Sequence, residues 1–188
     1  MYRAFALKAI RYGVPLDEEA GLESLSRQTS IRLEPGDEHN RVLLDGDDVT
    51  ALLRNKTVTD AASRVSVHPA IRAWMVRLQQ ELGAKGGVVM EGRDIGTVVF
   101  PHADVKIFLD AAPEVRGLRR YEQLGAKPEI QPAEVIRDLR ERDERDRNRA
   151  DSPLRPAADA VRVDSTAMSL EEAVKAAEAI VESKLASR

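Results

Sequence analysis

The second half of the chain alternates short apolar runs with segments of helical periodicity, and this alternation narrows the possible folds most. Residues 87–90, 105–109 and 160–163 are β-type runs, and a capping box, Ser169-x-x-Glu172, opens the last helical segment. Strands that alternate with helices predict an α/β fold, a parallel sheet with flanking helices. Ligands bind such sheets beyond the carboxyl ends of the strands. Polar residues follow each run at that end: Arg93-Asp94, Asp110 and Asp164.

The first half of the chain is predicted to be helical, with a small antiparallel lobe inside it. Helical patterns cover the segments 1–12, 17–28, 57–64 and 69–82. Between them, residues 31–55 contain short β-type runs separated by turn residues. Asp45-Gly46 is a strong hairpin signal, because both residues tolerate the positive φ angles that a tight turn requires. We therefore expect an antiparallel β insert in this region.

Composition excludes several classes of protein. The chain has 188 residues, which is enough to form a buried core without disulfide bonds or other cross-links. It has no Cys, which excludes a disulfide framework, a Cys-ligated zinc site and an iron–sulfur cluster. No apolar run approaches the roughly 18 residues of a membrane span, and the N-terminus lacks a signal-peptide core. The net charge of −3 argues against a uniformly basic nucleic-acid binder. We expect a cytoplasmic protein with no membrane partner.

The segment from Pro132 to Arg149 is rich in Arg and contains no Lys. Acidic residues lie between the arginines, and spacings such as Asp143–Arg147 are typical of a solvated helix with i,i+4 ion pairs. A second interpretation starts from Arg142, Asp146 and Arg149, which share one helix face. Guanidinium groups on one face suit recognition of phosphate. The spacing alone leaves both interpretations open.

The motif Glu91-Gly92-Arg93-Asp94 follows the first apolar run of the second half. Gly92 permits a tight turn, Arg93 offers a planar fork for a phosphate or carboxylate, and Asp94 offers an acceptor. The pair could equally be a structural ion pair at a strand end. The sequence contains no G-x-x-x-x-G-K-[ST] phosphate loop, and its three His residues are far apart, which does not favour a His metal site.

These segments together resemble the bacterial cytidylate kinases (CMP kinases), from residue 2 to the C-terminus. The stretches that match this family most specifically are 91–101, 105–111, 141–149 and 156–160. Residues 2–3 and 61–63 also match. The resemblance implies a P-loop nucleoside monophosphate kinase fold. It implies a core of 1–30 and 62–188, a monophosphate-binding insert at 31–61 and an arginine-bearing lid at about 120–150. It also implies a monomer that binds no nucleic acid.

The activity that the resemblance implies is transfer of the γ-phosphoryl group of ATP to CMP or dCMP, with Mg²⁺ bound with ATP. Roles carry over residue by residue. The positions that read the cytosine ring are Ser63, Arg72 and Asp94. The position that holds the ribose hydroxyls is Asp146. The positions that hold the CMP phosphate, and are therefore catalytic, are Arg3, Arg93 and Arg149. The lid cations are Arg142, Arg145 and Arg147.

The sequence departs from the family at its start. The family begins with a strand, a P-loop ending in Gly-Lys-Ser/Thr, a helix and a second strand, and only then reaches the Tyr-Arg found here at residues 2–3. We therefore expect an N-terminally truncated domain that does not phosphorylate CMP. We also expect it to be unstable or to expose an apolar slot, in a gap flanked by strands at 88–91 and 105–109. Two alternatives are a non-catalytic CMP-binding remnant and a module that binds RNA or acidic partners through its arginine helix. The interleaved acids count against the latter.

Overall fold

A computed structural model describes residues 1–36, 39–126, 130–149 and 151–186. The chain divides into two compact units, unit 1 (Met1–Gly87) and unit 2 (Val88–Arg188). Each unit has its own secondary structure and its own set of buried residues, and each is described separately. Within the described part of the chain, no helix has both the length and the apolar character needed to cross a membrane.

Unit 1 is built around four α-helices. Their bounds are α1, Tyr2–Arg11; α2, Glu19–Ser26; α3, Lys56–Val65; and α4, Pro69–Gly83. The Asn55 side chain accepts a 2.8 Å hydrogen bond from the Thr57 amide and so caps the start of α3. Pro69 occupies the first turn of α4, where the missing N–H has no helical partner to lose. All four predicted helices of this half are confirmed.

The apolar core of unit 1 lies between these helices. Phe5, Leu22, Ile71 and Met75 are completely buried. Phe5 meets Trp74 edge to face, with ring centroids 5.1 Å apart. Burial of several large apolar side chains supplies a hydrophobic contribution of roughly 1.5–3 kcal/mol each, so this core dominates the stability of unit 1.

A three-stranded antiparallel lobe interrupts the helices of unit 1, as the sequence predicted. Its strands are β1, Ile31–Glu34; β2, Arg41–Leu44; and β3, Asp47–Asp48. Ile31 pairs with Leu44, and Leu44 also pairs with Asp47 across the second turn. In that turn Asp45 and Gly46 have φ angles of 53° and 99°. The hairpin at Asp45-Gly46 is therefore confirmed.

A buried lysine connects α1 to this lobe. The Nζ of Lys8 lies 2.6 Å from Oδ2 of Asp45 and also donates to the Gln28 carbonyl oxygen. The other Asp45 oxygen accepts a 2.8 Å hydrogen bond from the Ser30 amide. Burial alone would raise the pKa of Asp45, but the hydrogen bonds from Lys8 and Ser30 outweigh burial and lower it. The ion pair thus holds the hairpin turn against the first helix.

Unit 2 contains a parallel strand pair and three α-helices. The strands are β4, Ile107–Asp110, and β5, Val161–Asp164, and the helices are α5, Pro113–Gln123; α6, Pro132–Asn148; and α7, Leu170–Ala186. The register runs from Ile107 opposite Val161 to Asp110 opposite Asp164. Ser169 and Glu172 form the predicted capping box at the start of α7, with bonds of 2.7 and 3.2 Å. The predicted α/β class with a parallel sheet is confirmed.

The predicted strand at 87–90 is wrong: the structure contains no strand there. Gly86 and Gly87 have φ angles of 69° and 67°, which break the extended conformation, and the described residues give the segment no paired neighbour. A short apolar run shows that a segment is hydrophobic but does not show that it has a strand partner. The side chains of Val88, Val89 and Leu109 are exposed.

Candidate functional site

The carboxylate of Asp146, on α6, is the centre of a charged cluster in unit 2. It is buried, and its Oδ2 accepts a hydrogen bond from Nε of Arg93 at 3.2 Å. Nη1 of Arg149 lies 3.5 Å from Oδ1, and Nε of Arg142 lies 3.9 Å from Oδ2. The helical spacing places Arg142 and Arg149 beside Asp146, whereas Arg93 reaches it from a distant part of the sequence. We call Arg93, Asp94, Arg142, Asp146 and Arg149 the arginine cluster.

Arg93 and Asp94 enter the arginine cluster from a tight turn. A Cβ atom on Gly92 would lie only 2.7 Å from Cγ1 of Ile95, so any other residue at this position would have to displace that side chain. The Asp94 carbonyl accepts hydrogen bonds from the Val98 amide at 2.9 Å and from the Val99 amide at 3.3 Å, and the second of these begins a single π-helical turn, Ile95–Val99. The turn thereby fixes the buried Asp94 carboxylate, whose Oδ1 lies 4.0 Å from Nη2 of Arg149.

The Arg149 side chain and the backbone near the end of α6 are both hydrogen-bonded to residues that follow the helix. Its Nε donates a 2.7 Å hydrogen bond to the Ser152 carbonyl, and Ser152 has a φ of 51°, which is uncommon for a residue other than glycine. The Leu154 amide donates to the Asp146 carbonyl at 2.8 Å. The chain after α6 therefore folds back onto the end of the helix and orients the Arg149 guanidinium.

The arginine cluster has more positive than negative groups. Three guanidinium groups surround the two carboxylates of Asp94 and Asp146. An excess of guanidinium groups suits a bound phosphate, because each is planar, permanently charged and able to donate two parallel hydrogen bonds. The carboxylates can accept hydrogen bonds from hydroxyl or amino groups. In the described parts of the chain, no group of three metal-ligating side chains is found.

Two of the predicted lid cations lie outside the arginine cluster. Arg145 and Arg147 are exposed on α6, and Arg145 donates to the Glu141 carbonyl of its own helix at 3.4 Å. Only Arg142 among the three lies beside Asp146. Their positions on the helix separate these arginines although the sequence places them in one motif.

Three of the predicted site residues, Ser63, Arg72 and Arg3, belong to unit 1. Ser63 and Arg72 are buried and meet at Ser66: the Ser66 hydroxyl donates to the Ser63 carbonyl at 2.9 Å, and Nη1 of Arg72 donates to the Ser66 carbonyl at 3.3 Å. Arg3, in the first turn of α1, donates to the Leu53 carbonyl at 3.2 Å. A buried guanidinium and hydroxyl at the junction of α3 and α4 are suited to hydrogen bonding.

The carboxylates that end β4 and β5 shape turns. Oδ1 of Asp110 accepts from the Ala111 amide at 2.9 Å. Oδ1 of Asp164 accepts from both the hydroxyl and the amide of Thr166, and these two hydrogen bonds lower its pKa. Both strand-end residues therefore already have structural roles.

One buried ion pair was not anticipated from the sequence. Asp143 on α6 pairs with Arg116 of α5, their Oδ2 and Nη2 atoms 2.6 Å apart, and not with Arg147 as the i,i+4 spacing suggested. The only sequence signal is that Asp143 lies three residues before Asp146 and so near the same helix face.

Comparison with known proteins identifies the family of this chain. A family profile described as cytidylate kinase matches residues 1–183. This chain belongs to the cytidylate kinase family. Cytidylate kinase from Solibacter usitatus is 47% identical, with 98% of this chain and 79% of the relative covered. Cytidylate kinase from Pelotomaculum thermopropionicum is 50% identical, with coverage of 93% and 78%. Cytidylate kinase from Actinobacillus succinogenes is 43% identical, with coverage of 99% and 86%.

The family membership confirms the resemblance found in the sequence. Cytidylate kinases are nucleoside monophosphate kinases, which are transferases, and the parallel sheet with flanking helices is consistent with their fold. ATP is the co-substrate that the family implies. The chain spans 79% of the first of these relatives.

Proposed function

We propose that this chain binds CMP, and dCMP, and that the arginine cluster of unit 2 is the part of the chain that binds the phosphate and the ribose. The observation that carries the proposal is the set of three guanidinium groups around Asp146. Arg93, Arg149 and Arg3 hold the phosphate, and Asp146 accepts from the ribose hydroxyls. Cytosine offers an amino donor together with carbonyl and ring-nitrogen acceptors, which the side chains of Asp94, Ser63 and Arg72 complement.

The reaction of the family needs position and charge more than covalent chemistry. Phosphoryl transfer is accelerated when the two phosphates lie in line and their charge is neutralised in a site that excludes water. Arginines from separate elements can do this, since Arg93 comes from a turn and Arg149 from a helix end. We assign the lobe at 31–61 to monophosphate binding and the segment at about 120–150 to an arginine-bearing lid, with Arg142 its best-supported cation and Arg145 and Arg147 exposed.

The sequence lacks the Gly-Lys-Ser/Thr loop that cradles ATP phosphates in this family. We therefore propose that the 188-residue chain binds CMP without phosphorylating it. Mg²⁺ enters this chemistry with ATP and neutralises phosphate charge there. No cluster of metal ligands occurs in the described residues, so we assign none of them to the ion. A coupled assay with ATP, Mg²⁺ and CMP should give no CDP, and CDP formation would refute the inactivity.

Titration calorimetry tests the binding proposal. Arg149→Met should lower the affinity for CMP at least about 30-fold, because the phosphate loses a forked, charged donor. Arg137→Met is the matched control, since Arg137 is 65% exposed on the same arginine-rich helix and belongs neither to the arginine cluster nor to the lid cations, and it should change the affinity less than twofold. Absence of CMP binding by the unaltered chain, or equal losses in both variants, would contradict the proposal.

The same preparation separates the RNA-binding alternative from CMP binding. Binding to single-stranded RNA that weakens steeply with salt would favour an interaction module. We expect a monomer in light scattering. We also expect no such RNA binding, because acidic residues lie between the arginines of α6, and Asp146 pairs with Arg142 and Arg149.

A further inference from the structure

The guanidinium group of Arg116 connects three elements of unit 2. Its Nη2 lies 2.6 Å from Oδ2 of Asp143 on α6, and its Nε donates a 3.0 Å hydrogen bond to the carbonyl of Ala111, directly after β4. The Asp143 side chain is 6% exposed and that of Arg116 is 28% exposed. Solvent therefore screens this pair far less than a surface ion pair. Through Arg116, the rotational setting of α6 is tied to the end of a sheet strand.

A second fixed point lies two turns earlier on α6. A Cβ atom on Gly117 would lie 2.2 Å from Cγ1 and 3.1 Å from Cα of Ile136. Because these atoms leave no room for any side chain, the two helices are in close backbone contact at Gly117. Contact at Ile136 fixes the distance between α5 and α6, and the ion pair at Asp143 fixes the rotation of α6 about its axis.

The rotation of α6 determines where the arginine cluster lies. Asp143 and Asp146 are three residues apart and both are buried, so they face nearly the same direction. Side-chain tips lie roughly 5–6 Å from a helix axis, so a rotation of about 10° moves them by roughly 1 Å. A displacement of this size is enough to spoil a site that depends on forked hydrogen bonds.

We propose that Arg116 and Asp143 are positioning residues for the CMP site: their buried ion pair sets the rotation of α6 and thereby places Arg142, Asp146 and Arg149. Neither residue needs to touch the nucleotide. Apolar packing is non-directional and would hold α6 against α5 in a range of rotations, whereas a hydrogen-bonded ion pair selects one. The proposal rests on the function proposed above.

The chain contains a matched control on the same two helices. Glu114 of α5 and Arg140 of α6 also form an ion pair, but both side chains are 57% exposed. A surface pair of this kind contributes little, because solvent screens it and its side chains remain free to move. Glu114→Gln should therefore leave both CMP binding and α6 unchanged.

Calorimetry with CMP compares Asp143→Asn with Glu114→Gln. We expect the first to lower CMP affinity at least tenfold and the second less than twofold. A second variant, Arg116→Met combined with Asp143→Leu, replaces the pair by apolar groups of similar size and should keep the thermal midpoint near that of the unaltered chain. Its CMP affinity should nevertheless stay at least tenfold lower, which a purely stabilising role would not produce.

Wild-type CMP affinity in the stable double variant, or in Asp143→Asn, would overturn the proposal. If the unaltered chain binds no CMP, the proposed function fails, and hydrogen exchange then tests positioning without a ligand. Amides of α6 from residue 144 to 148 should exchange at least fivefold faster in Asp143→Asn than in Glu114→Gln. Equal exchange in the two variants would refute the role of the ion pair.

Discussion

Unit 1 and unit 2 are stabilised by different interactions. Unit 1 buries large apolar side chains completely, among them Phe5, Ile71 and Met75. The buried apolar residues of unit 2 are smaller, such as Ala111 and Val163, and no residue of α7 is buried. In place of a large apolar core, unit 2 has buried carboxylates paired with arginines.

Apolar burial and ion pairs have different physical consequences for the two units. Apolar burial is non-directional and tolerant of small shifts, so it supplies stability to unit 1. Ion pairs contribute less to stability but fix geometry, so they suit unit 2, where the arginine cluster has to be placed accurately. Unit 1 should therefore respond mainly to lost volume, and unit 2 to lost or screened charge.

The largest expected effect is a cavity in unit 1. Ile71→Ala should lower the free energy of unfolding by about 3 kcal/mol, because it removes a completely buried side chain. Urea unfolding followed by far-UV circular dichroism, to which the helices of both units contribute, measures this loss. Val174→Ala on α7 is the control in unit 2 and should cost less than about 0.5 kcal/mol. Equal losses would remove the distinction between the units.

The ion pair of unit 1 is the next test. Asp45→Asn should lower the free energy of unfolding by about 2 kcal/mol at pH 7, because the buried Lys8 ammonium loses its counter-charge. The pKa of Asp45 is lowered in the folded chain, so its contribution is full above the unfolded pKa and is lost as pH falls through the folded value. The urea midpoints of the variant and the unaltered chain should converge below about pH 4. A constant difference down to pH 3 would contradict this.

A high salt concentration should affect unit 2 more than unit 1, and its effect should be smaller than the effects of the two substitutions above. At about 1 M NaCl the Debye length falls to roughly 3 Å, which weakens partly exposed pairs such as Arg93–Asp146. Hydrogen exchange in the arginine cluster should accelerate about threefold to fivefold, while amides of α1 and α4 should not exchange faster. Acceleration of the same size in both units would show that charge is not the main difference between them.

The smallest effect is expected at the exposed apolar residues of unit 2. Val89→Ser should change the thermal midpoint by less than about 2 °C, since the Val89 side chain is fully exposed. A larger decrease in the thermal midpoint would show that another surface covers Val89 in solution. The stability of unit 2 would then depend less on ion pairs and more on apolar burial.

Local patterns in the sequence predicted much of this fold. The Asp45-Gly46 turn, the capping box at Ser169 and a parallel sheet, which β4 and β5 form, are all confirmed. These features depend on residues close together or on strong periodicity. The run at 87–90 was assigned wrongly because strand formation needs a partner, and a local pattern contains no information about partners.

The candidate site was predicted less completely. Helical spacing was enough to bring Arg142, Asp146 and Arg149 together, and the resemblance added Arg93. Spacing could not show that Asp143 pairs with Arg116, because that pair depends on how two helices pack. The arginine-rich stretch 141–149 likewise did not show which of its arginines face the cluster and which are exposed.

The two sheets also differ in when they can form during synthesis. The lobe of unit 1 pairs Ile31 with Leu44, so it can assemble once a short stretch has left the ribosome. In unit 2, β4 must wait until α5, α6 and then Val161 have been made before its parallel partner exists. Ile107, Phe108 and Leu109 therefore remain without their strand neighbour for a longer part of synthesis than β1 does, and this apolar segment of the nascent chain is exposed to aggregation for longer.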